Sequence, residues 1–200
     1  HSKDNSLRVA GMYGANASGK SNVLLALEFL RSAVSLSHAL WQPASGVPIA
    51  QFRGQQSDVE SEFVLDFALE GVRYQFGFSC TRERITREWL ERTTGGKPQL
   101  LYSRNGEAMR FGRSLRGENK QIAKLMRPNS LFLSVAAQNN HRPLGLVYGW
   151  FQSNLAFVSD KTQNGCIETI ALCHHKGIRS EILPMLTSAD VGVVAVESGV

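Results

Sequence analysis

Several features that define whole classes of protein are missing from this 200-residue sequence. No apolar run approaches the roughly 18 residues that span a bilayer, so no membrane-embedded protein is expected. The N-terminus has no charged segment followed by an apolar one, so the sequence shows no secretory signal. Three cysteines are too few for a disulfide scaffold in a chain of this length, which favours a reducing, cytoplasmic location. Internal repeats and low-complexity tracts are also absent.

The charge of the chain is unevenly distributed. Hydrophobic residues make up 42% and charged residues 20%, which is typical of globular proteins, and the net charge is +5. Twelve Lys/Arg and only five Glu lie in the segment 81–127. Charge alone favours a solvated face, but a polyanion such as DNA or RNA is the alternative partner. Arg110, Arg113 and Arg116 surround a glycine-containing turn and are the expected contacts.

The hydrophobic pattern changes along the chain. Residues 7–13 predict a short buried strand, and residues 21–40 predict a helix that is apolar on most faces and therefore buried. Residues 41–54 predict a loop. The period then becomes two, with strands over 62–69, 72–80, 84–92 and 99–103 and turns at 70–71, 95–96 and 105–106. We therefore expect an antiparallel meander over about 60–111.

The pattern after the meander indicates further helices and strands. Helical segments are expected at 119–126 and 144–152, with an apolar segment 131–136 that ends at Gln138. A strand over 155–158, helices over 167–174 and 178–186, and a strand over 191–196 complete the expected elements.

One motif carries chemistry. Residues 14–21 match G-x-x-x-x-G-K-[ST] between the expected first strand and first helix, and they read Gly14-Ala15-Asn16-Ala17-Ser18-Gly19-Lys20-Ser21. The glycines let backbone N–H groups point at phosphate oxygens. Lys20 supplies a positive charge to the β- and γ-phosphates, and the Ser21 hydroxyl can coordinate Mg²⁺. The alternative is a glycine-rich turn with a surface lysine.

The sequence around this motif resembles a known group of ATPases. GANASGKSNVLLALEFL, with Asn16 and Asn22 flanking the core, is similar to heads of the ATP-binding-cassette type related to RecF, OLD and SMC proteins. It most resembles a prokaryotic AAA-annotated family found in phage-defence and abortive-infection loci. The blocks PIAQFR, SEFVLDFALEGVRYQFGF, ITREWLE, NSLFLSVAAQNN and VYGWF extend the resemblance over about 9–196.

The resemblance implies an α/β fold of the P-loop NTPase class. The chain would be an ABC-ATPase-like N-terminal lobe, and the antiparallel β-subdomain would be an α+β insertion in it. The implied segments are 1–58 with the phosphate loop and first helix, 59–127 with the β-subdomain, and 128–200 with the Q-loop. ATP and Mg²⁺ are the implied cofactors. The implied ATP contacts are Gly14, Asn16, Ala17, Ser18, Gly19, Lys20, Ser21 and Asn22.

Catalytic roles are implied for Lys20 and for Gln138. Gln138 matches the Q-loop glutamine, which ends a strand in such heads, and it would contact Mg²⁺ together with Ser21. The implied partners are a second copy, in a dimer or higher oligomer with ATP between two heads, DNA or RNA, and an effector nuclease or toxin. The implied function is an ATP-driven switch in antiphage defence.

Some expected features of such an ATPase are not found in the sequence. No run of four apolar residues ends in Asp-Glu, and the segment that ends at Asp160 is read as an ordinary strand end. The chain is therefore expected to be the N-terminal lobe of a longer protein and to be inactive as a fragment. Cys166, Cys173, His174 and His175 lack the usual zinc spacing, so a helix is favoured over a metal site.

Two other functions remain open. A non-catalytic module that binds nucleotide and then a partner is one alternative. A P-loop kinase is the other, and the long antiparallel insertion argues against it.

Overall fold

The computed structural model describes residues 10–16, 18–49 and 59–157. The chain divides into two compact units, His1–Leu155 and Ala156–Val200, and every helix and strand of the described residues belongs to the first. They are α1 (Lys20–Leu36), β1 (Ser61–Leu69), β2 (Val72–Cys80), β3 (Ile85–Thr94), β4 (Lys97–Asn105), β5 (Ala108–Phe111), α2 (Asn119–Ala123), α3 (Phe132–Gln138) and α4 (Arg142–Asn154). None of these helices has the length and apolar character needed to cross a membrane.

The five strands form one antiparallel sheet in the order β1-β2-β3-β4-β5. This confirms the predicted meander over 60–111. The β1–β2 turn places Glu70 and Gly71 at φ 51° and 76°, and the β3–β4 turn places Gly95 and Gly96 at φ 58° and 76°. Two successive positive φ angles match the right-handed twist of paired strands, which explains why glycine appears in both turns.

The helices pack on one face of this sheet. Directly opposite residues of paired strands share a face. One such row runs from Phe63 through Phe78 and Glu88 to Arg104 across β1, β2, β3 and β4. The α1 side chain of Phe29 contacts this row, with its ring centroid 5.1 Å from that of Phe63.

A second row on the same face completes the aromatic core. It contains Leu65, Phe76, Leu90 and Tyr102. The ring centroid of Phe76 lies 5.3 Å from that of Phe151 in α4, and the centroid of Tyr102 lies 4.9 Å from that of Phe132 in α3. Three helices therefore contribute aromatic side chains to one continuous core.

A buried carboxylate lies within this apolar face. Glu88 is fully buried and accepts hydrogen bonds from the backbone N–H groups of Phe132 (2.6 Å) and Leu133 (3.0 Å) and from the hydroxyl of Tyr102 (2.7 Å). Burial raises the pKa of Glu88, while the neighbouring Arg104 and the three donors oppose that rise. Helix α3 begins after Leu131, which has no capping side chain, so a residue from β3 caps it.

Arg104 extends this polar network to the segment before α3. Its guanidinium donates to the backbone carbonyls of Gly106 (2.8 Å), Ser130 (2.7 Å) and Pro128 (3.3 Å). Each buried charge is therefore surrounded by groups of complementary polarity, as burial requires. The network fixes the sheet, the segment 127–131 and α3 relative to one another.

The C-terminal end of α1 is fixed to the same region. The hydroxyl of Ser37 accepts from the backbone N–H of Leu131 (3.1 Å), and the hydroxyl of Ser134 accepts from that of His38 (3.2 Å). Arg127 donates through Nη2 to the carbonyls of Ser37 (2.9 Å) and His38 (2.7 Å). These contacts join residues about 90 positions apart in the sequence.

Two expectations about the first strand and first helix are wrong in the described residues. Residues 10–13 form no strand and are exposed, while residues 7–9 of the expected strand lie outside the described residues. Every strand of the described part pairs within the meander. Helix α1 is buried only in its second half, at Leu30, Ala33 and Val34. In its first half, Leu24 is 52% and Leu25 is 58% exposed.

The remaining expectations have mixed outcomes. The helix expected over 144–152 is confirmed as α4, and the loop is confirmed for 41–49. The helix expected over 119–126 is shorter, and residues 155–157 are not in a strand. Elements expected beyond residue 157 lie outside the described residues. The division into segments 1–58, 59–127 and 128–200 remains a prediction. The helix α1, the sheet and the helices α2–α4 all belong to the first compact unit.

Removing the Glu88 carboxylate should strongly destabilise the first unit. In Glu88→Ala, two backbone N–H groups and the Tyr102 hydroxyl lose their acceptor and Arg104 loses its counter-charge. We expect the free energy of unfolding to fall by about 3 to 5 kcal/mol in urea titrations. Glu83→Ala, in the exposed β2–β3 connection, should change it by less than about 0.5 kcal/mol. An unchanged urea midpoint for Glu88→Ala would contradict the proposed role.

Candidate functional site

The loop that leads into α1 depends on two glycines for different reasons. Gly19 immediately precedes the helix at φ 90°, a backbone conformation that residues other than glycine rarely adopt. A Cβ on Gly14 would lie only 2.8 Å from the hydroxyl of Ser18. The Ser18 N–H donates to the carbonyl of Ala15 (3.3 Å), which closes a tight turn. The loop backbone is therefore curled before the helix begins.

The Lys20 side chain folds back over this curled backbone. Its Nζ donates to the carbonyls of Gly14 and Ala15, both at 2.7 Å, and to the hydroxyl of Ser18 at 3.3 Å. The ammonium is thereby held within the loop and not directed into bulk solvent. A positive charge at this place is suited to an anion that approaches the loop.

The N-terminus of α1 adds to this positive potential. Its N-cap residue is Gly19, no side chain of the described residues caps it, and its first turn contains no acidic residue. Uncapped N–H groups at a helix N-terminus, together with the helix dipole, favour a bound anion such as a phosphate. Asn16, Ser21 and Asn22 are exposed beside it, and Ala17 lies outside the described residues.

This donor set fits a nucleoside triphosphate with Mg²⁺. Lys20 and the backbone N–H groups supply positive charge, and the Ser21 hydroxyl is an oxygen ligand of the kind that Mg²⁺ prefers. Mg²⁺ in phosphate sites is commonly held by one or two protein ligands, phosphate oxygens and waters. The arrangement can bind and orient phosphates, and it is that of a P-loop NTPase.

Gln138 is not brought to the loop. It is the last residue of α3, so the expectation that it ends a strand is wrong. Its Nε2 lies 3.5 Å from the hydroxyl of Tyr148, which donates to the carbonyl of Ser35 at 3.0 Å. Since α1 rises 1.5 Å per residue, Ser35 lies about 22 Å along the helix from Lys20, which leaves Gln138 at least ~15 Å from the loop. The length of α1 therefore separates Gln138 from Lys20.

The other candidate residues have separate outcomes. Asp160 and the cysteine and histidine group at 166–175 lie outside the described residues. Within the described ranges, no group of three or more His, Cys, Asp or Glu side chains could hold a metal ion. The basic residues of the segment 81–127 are not all on the surface. Arg104 is buried in the core network, while Arg110, Arg113 and Arg116 are exposed.

The sequence interpretation missed Glu88. The available signal was its position two residues before Leu90 on a strand of period two, which places it on the core-facing side. A glutamate at such a position needs partners, and these come from β4 and α3. No sequence motif indicates that pairing.

Comparison with known protein families identifies the chain. Residues 9–140 match the family described as “AAA domain, putative AbiEii toxin, Type IV TA system”. The match covers more than half of the chain, so the chain belongs to this family. AAA domains are P-loop ATPases that bind ATP with Mg²⁺, which confirms the predicted AAA-type ATPase family. No curated protein and no solved structure matches the chain.

Proposed function

We propose that this chain is the ATP-binding lobe of an ATP-driven switch. The observation that carries the proposal is the position of the Lys20 ammonium, 2.7 Å from two loop carbonyls at the uncapped N-terminus of α1. The match to a family of AAA domains supports the choice of ATP.

The residues of the loop have distinct proposed roles. On binding, Lys20 exchanges its contacts with the Gly14 and Ala15 carbonyls for β- and γ-phosphate oxygens. The loop around Asn16, Ala17, Ser18 and Gly19 surrounds the phosphates with N–H groups, and Asn22 lies one turn along the helix. Ser21 would hold the Mg²⁺ that accompanies ATP and neutralises its phosphate charge. These roles are binding and orientation.

Turnover and signalling are proposed to require more than this loop. The resemblance to RecF, OLD and SMC heads supports an ABC-type lobe in which ATP is held between two copies, in a dimer or higher oligomer. The family description refers to toxins, which supports control of a toxic or nucleic-acid-directed effector in antiphage defence. The exposed apolar first half of α1 is consistent with a surface that another protein segment covers.

A non-catalytic module is the second candidate. In the described residues, no carboxylate contacts the loop, and Gln138 is separated from it by the length of α1. Nucleotide binding without turnover follows directly from such a site. A partner that recognises the nucleotide-bound form would then provide the function.

Removal of the Lys20 charge should abolish tight ATP binding. Hydrogen bonds to charged groups contribute about 1.5 to 3 kcal/mol each, so we expect Lys20→Ala to raise the Kd for Mg-ATP by ~10- to 150-fold. Ser21→Ala should retain part of the affinity and lose its dependence on Mg²⁺. Isothermal titration calorimetry measures both effects.

Lys97→Ala provides the matched control, because Lys97 is exposed at the start of β4. It should bind Mg-ATP as the parent does. If Lys20→Ala also binds Mg-ATP with the parental affinity, the phosphate loop is wrongly assigned.

The 200-residue chain alone should hydrolyse ATP at a negligible rate. Phosphoryl transfer to water needs a group that orients the water and charges that stabilise the transition state, and the described loop supplies only part of the latter. Release of inorganic phosphate by the purified chain should match that by Lys20→Ala. Steady turnover that Lys20→Ala abolishes would contradict this expectation and support Asp160 as a magnesium-binding carboxylate.

A further inference from the structure

A second candidate binding site lies on the β-subdomain, away from the phosphate loop. A cavity of about 600 Å³ opens between β4, β5, α2 and residues 126–128. Its apolar lining comes from Met109, Phe111 and Met126. Binding sites for small organic groups commonly have volumes of about 300–1,000 Å³ and an apolar floor with a few polar groups.

The charged lining of this cavity is mainly positive. Lys120, Lys124, Arg104 and Arg127 line it, with Glu107 as the carboxylate among the residues around it. Lys120 lies in α2 and Lys124 is the C-cap residue that follows it, still with helical backbone angles. Both are exposed and lie four residues apart, so they project from the same side of this turn. The local excess of three positive charges favours an anionic ligand.

The four cations are not equally available. Arg104 already donates to four backbone carbonyls, and Nη2 of Arg127 donates to the end of α1. Nε of Arg127 is buried and has no partner among the described residues. Within those same ranges, the side chains of Lys120 and Lys124 make no hydrogen bond or ion pair. The two lysines are therefore the cations that a ligand would meet first.

The apolar floor presents an aromatic ring. Phe111 is half-buried, and its centroid lies 5.5 Å from that of Phe132, so packing holds the ring in place. Met109 shares its side of β5, because residues two apart on a strand point to the same face, while Arg110 points to the opposite face. Methionine sulfur and an aromatic ring both pack well against a planar heterocycle.

We propose that this cavity binds one nucleotide of a single-stranded nucleic acid, with its base against Phe111 and Met109 and its phosphate on Lys120 and Lys124. Basic grooves with aromatic platforms bind single strands in this way, largely without sequence preference. A stacked base inside a duplex could not enter the cavity. The site is separate from the phosphate loop and does not depend on ATP binding there.

Charge reversal at the two lysines tests this proposal in the full chain. The probes are fluorescent oligothymidylate and oligouridylate of about 12 nucleotides, within the site sizes of single-strand binders, and a duplex of equal charge. We expect Lys120→Glu/Lys124→Glu to weaken binding of a single strand by about tenfold or more in anisotropy titrations. Arg82→Glu/Arg84→Glu makes the same charge change outside the cavity and should weaken it by less than about threefold.

Two further variants separate the possible explanations. Ala123→Phe places a ring in the cavity without changing charge, and it should also weaken single-strand binding if thermal unfolding shows that it folds. Lys20→Ala should bind the oligonucleotides as the parent does, so failure of ATP binding leaves this inference intact. The proposal is overturned if both double variants lose affinity equally, if duplex binds as tightly as single strand, or if only an acidic peptide competes for the cavity.

Discussion

The carboxylate of Glu88 is the constraint on which the described fold depends. A fully buried anion is tolerated only where donors surround it, and its three donors come from β4 and from the first turn of α3. Arg104, which lies directly opposite Glu88 on β4, donates hydrogen bonds to the segment that leads into α3. The hydrogen bonds of these two side chains therefore fix α3 and the segment before it against the sheet.

This constraint reaches the candidate functional site through α1. The C-terminal end of α1 is hydrogen-bonded to Leu131, Ser134 and Arg127, all within or beside the segment that Glu88 and Arg104 fix. Its N-terminal end follows the phosphate loop. The helix is therefore hydrogen-bonded to the rest of the first unit at its C-terminal end, while Leu24 and Leu25 in its first half are exposed. Arg127 also lines the basic cavity, so the two candidate sites lie towards opposite ends of α1.

Local sequence signals predicted much of this structure. Period-two alternation and the turn pairs Glu70-Gly71 and Gly95-Gly96 were sufficient to predict the meander, because adjacent strands pair through short turns. The phosphate loop was predicted because its chemistry requires fixed residue types at fixed spacing. The capping of α3 by Glu88, the position of Gln138 and the cavity beside Lys120 depend on contacts between distant segments. The exposure of Leu24 and Leu25 depends on which other segments pack against α1, which the helical period does not encode.

Hydrogen–deuterium exchange with and without Mg-ATP tests the central claim most directly, because it locates the bound nucleotide along the chain. The account predicts slower exchange of the amides of residues 18–23, where the loop meets α1, and little change in β3 and β4. Unchanged exchange at 18–23, with protection confined to β5 and α2 around the basic cavity, would contradict it, since ATP would then bind at the wrong end of α1.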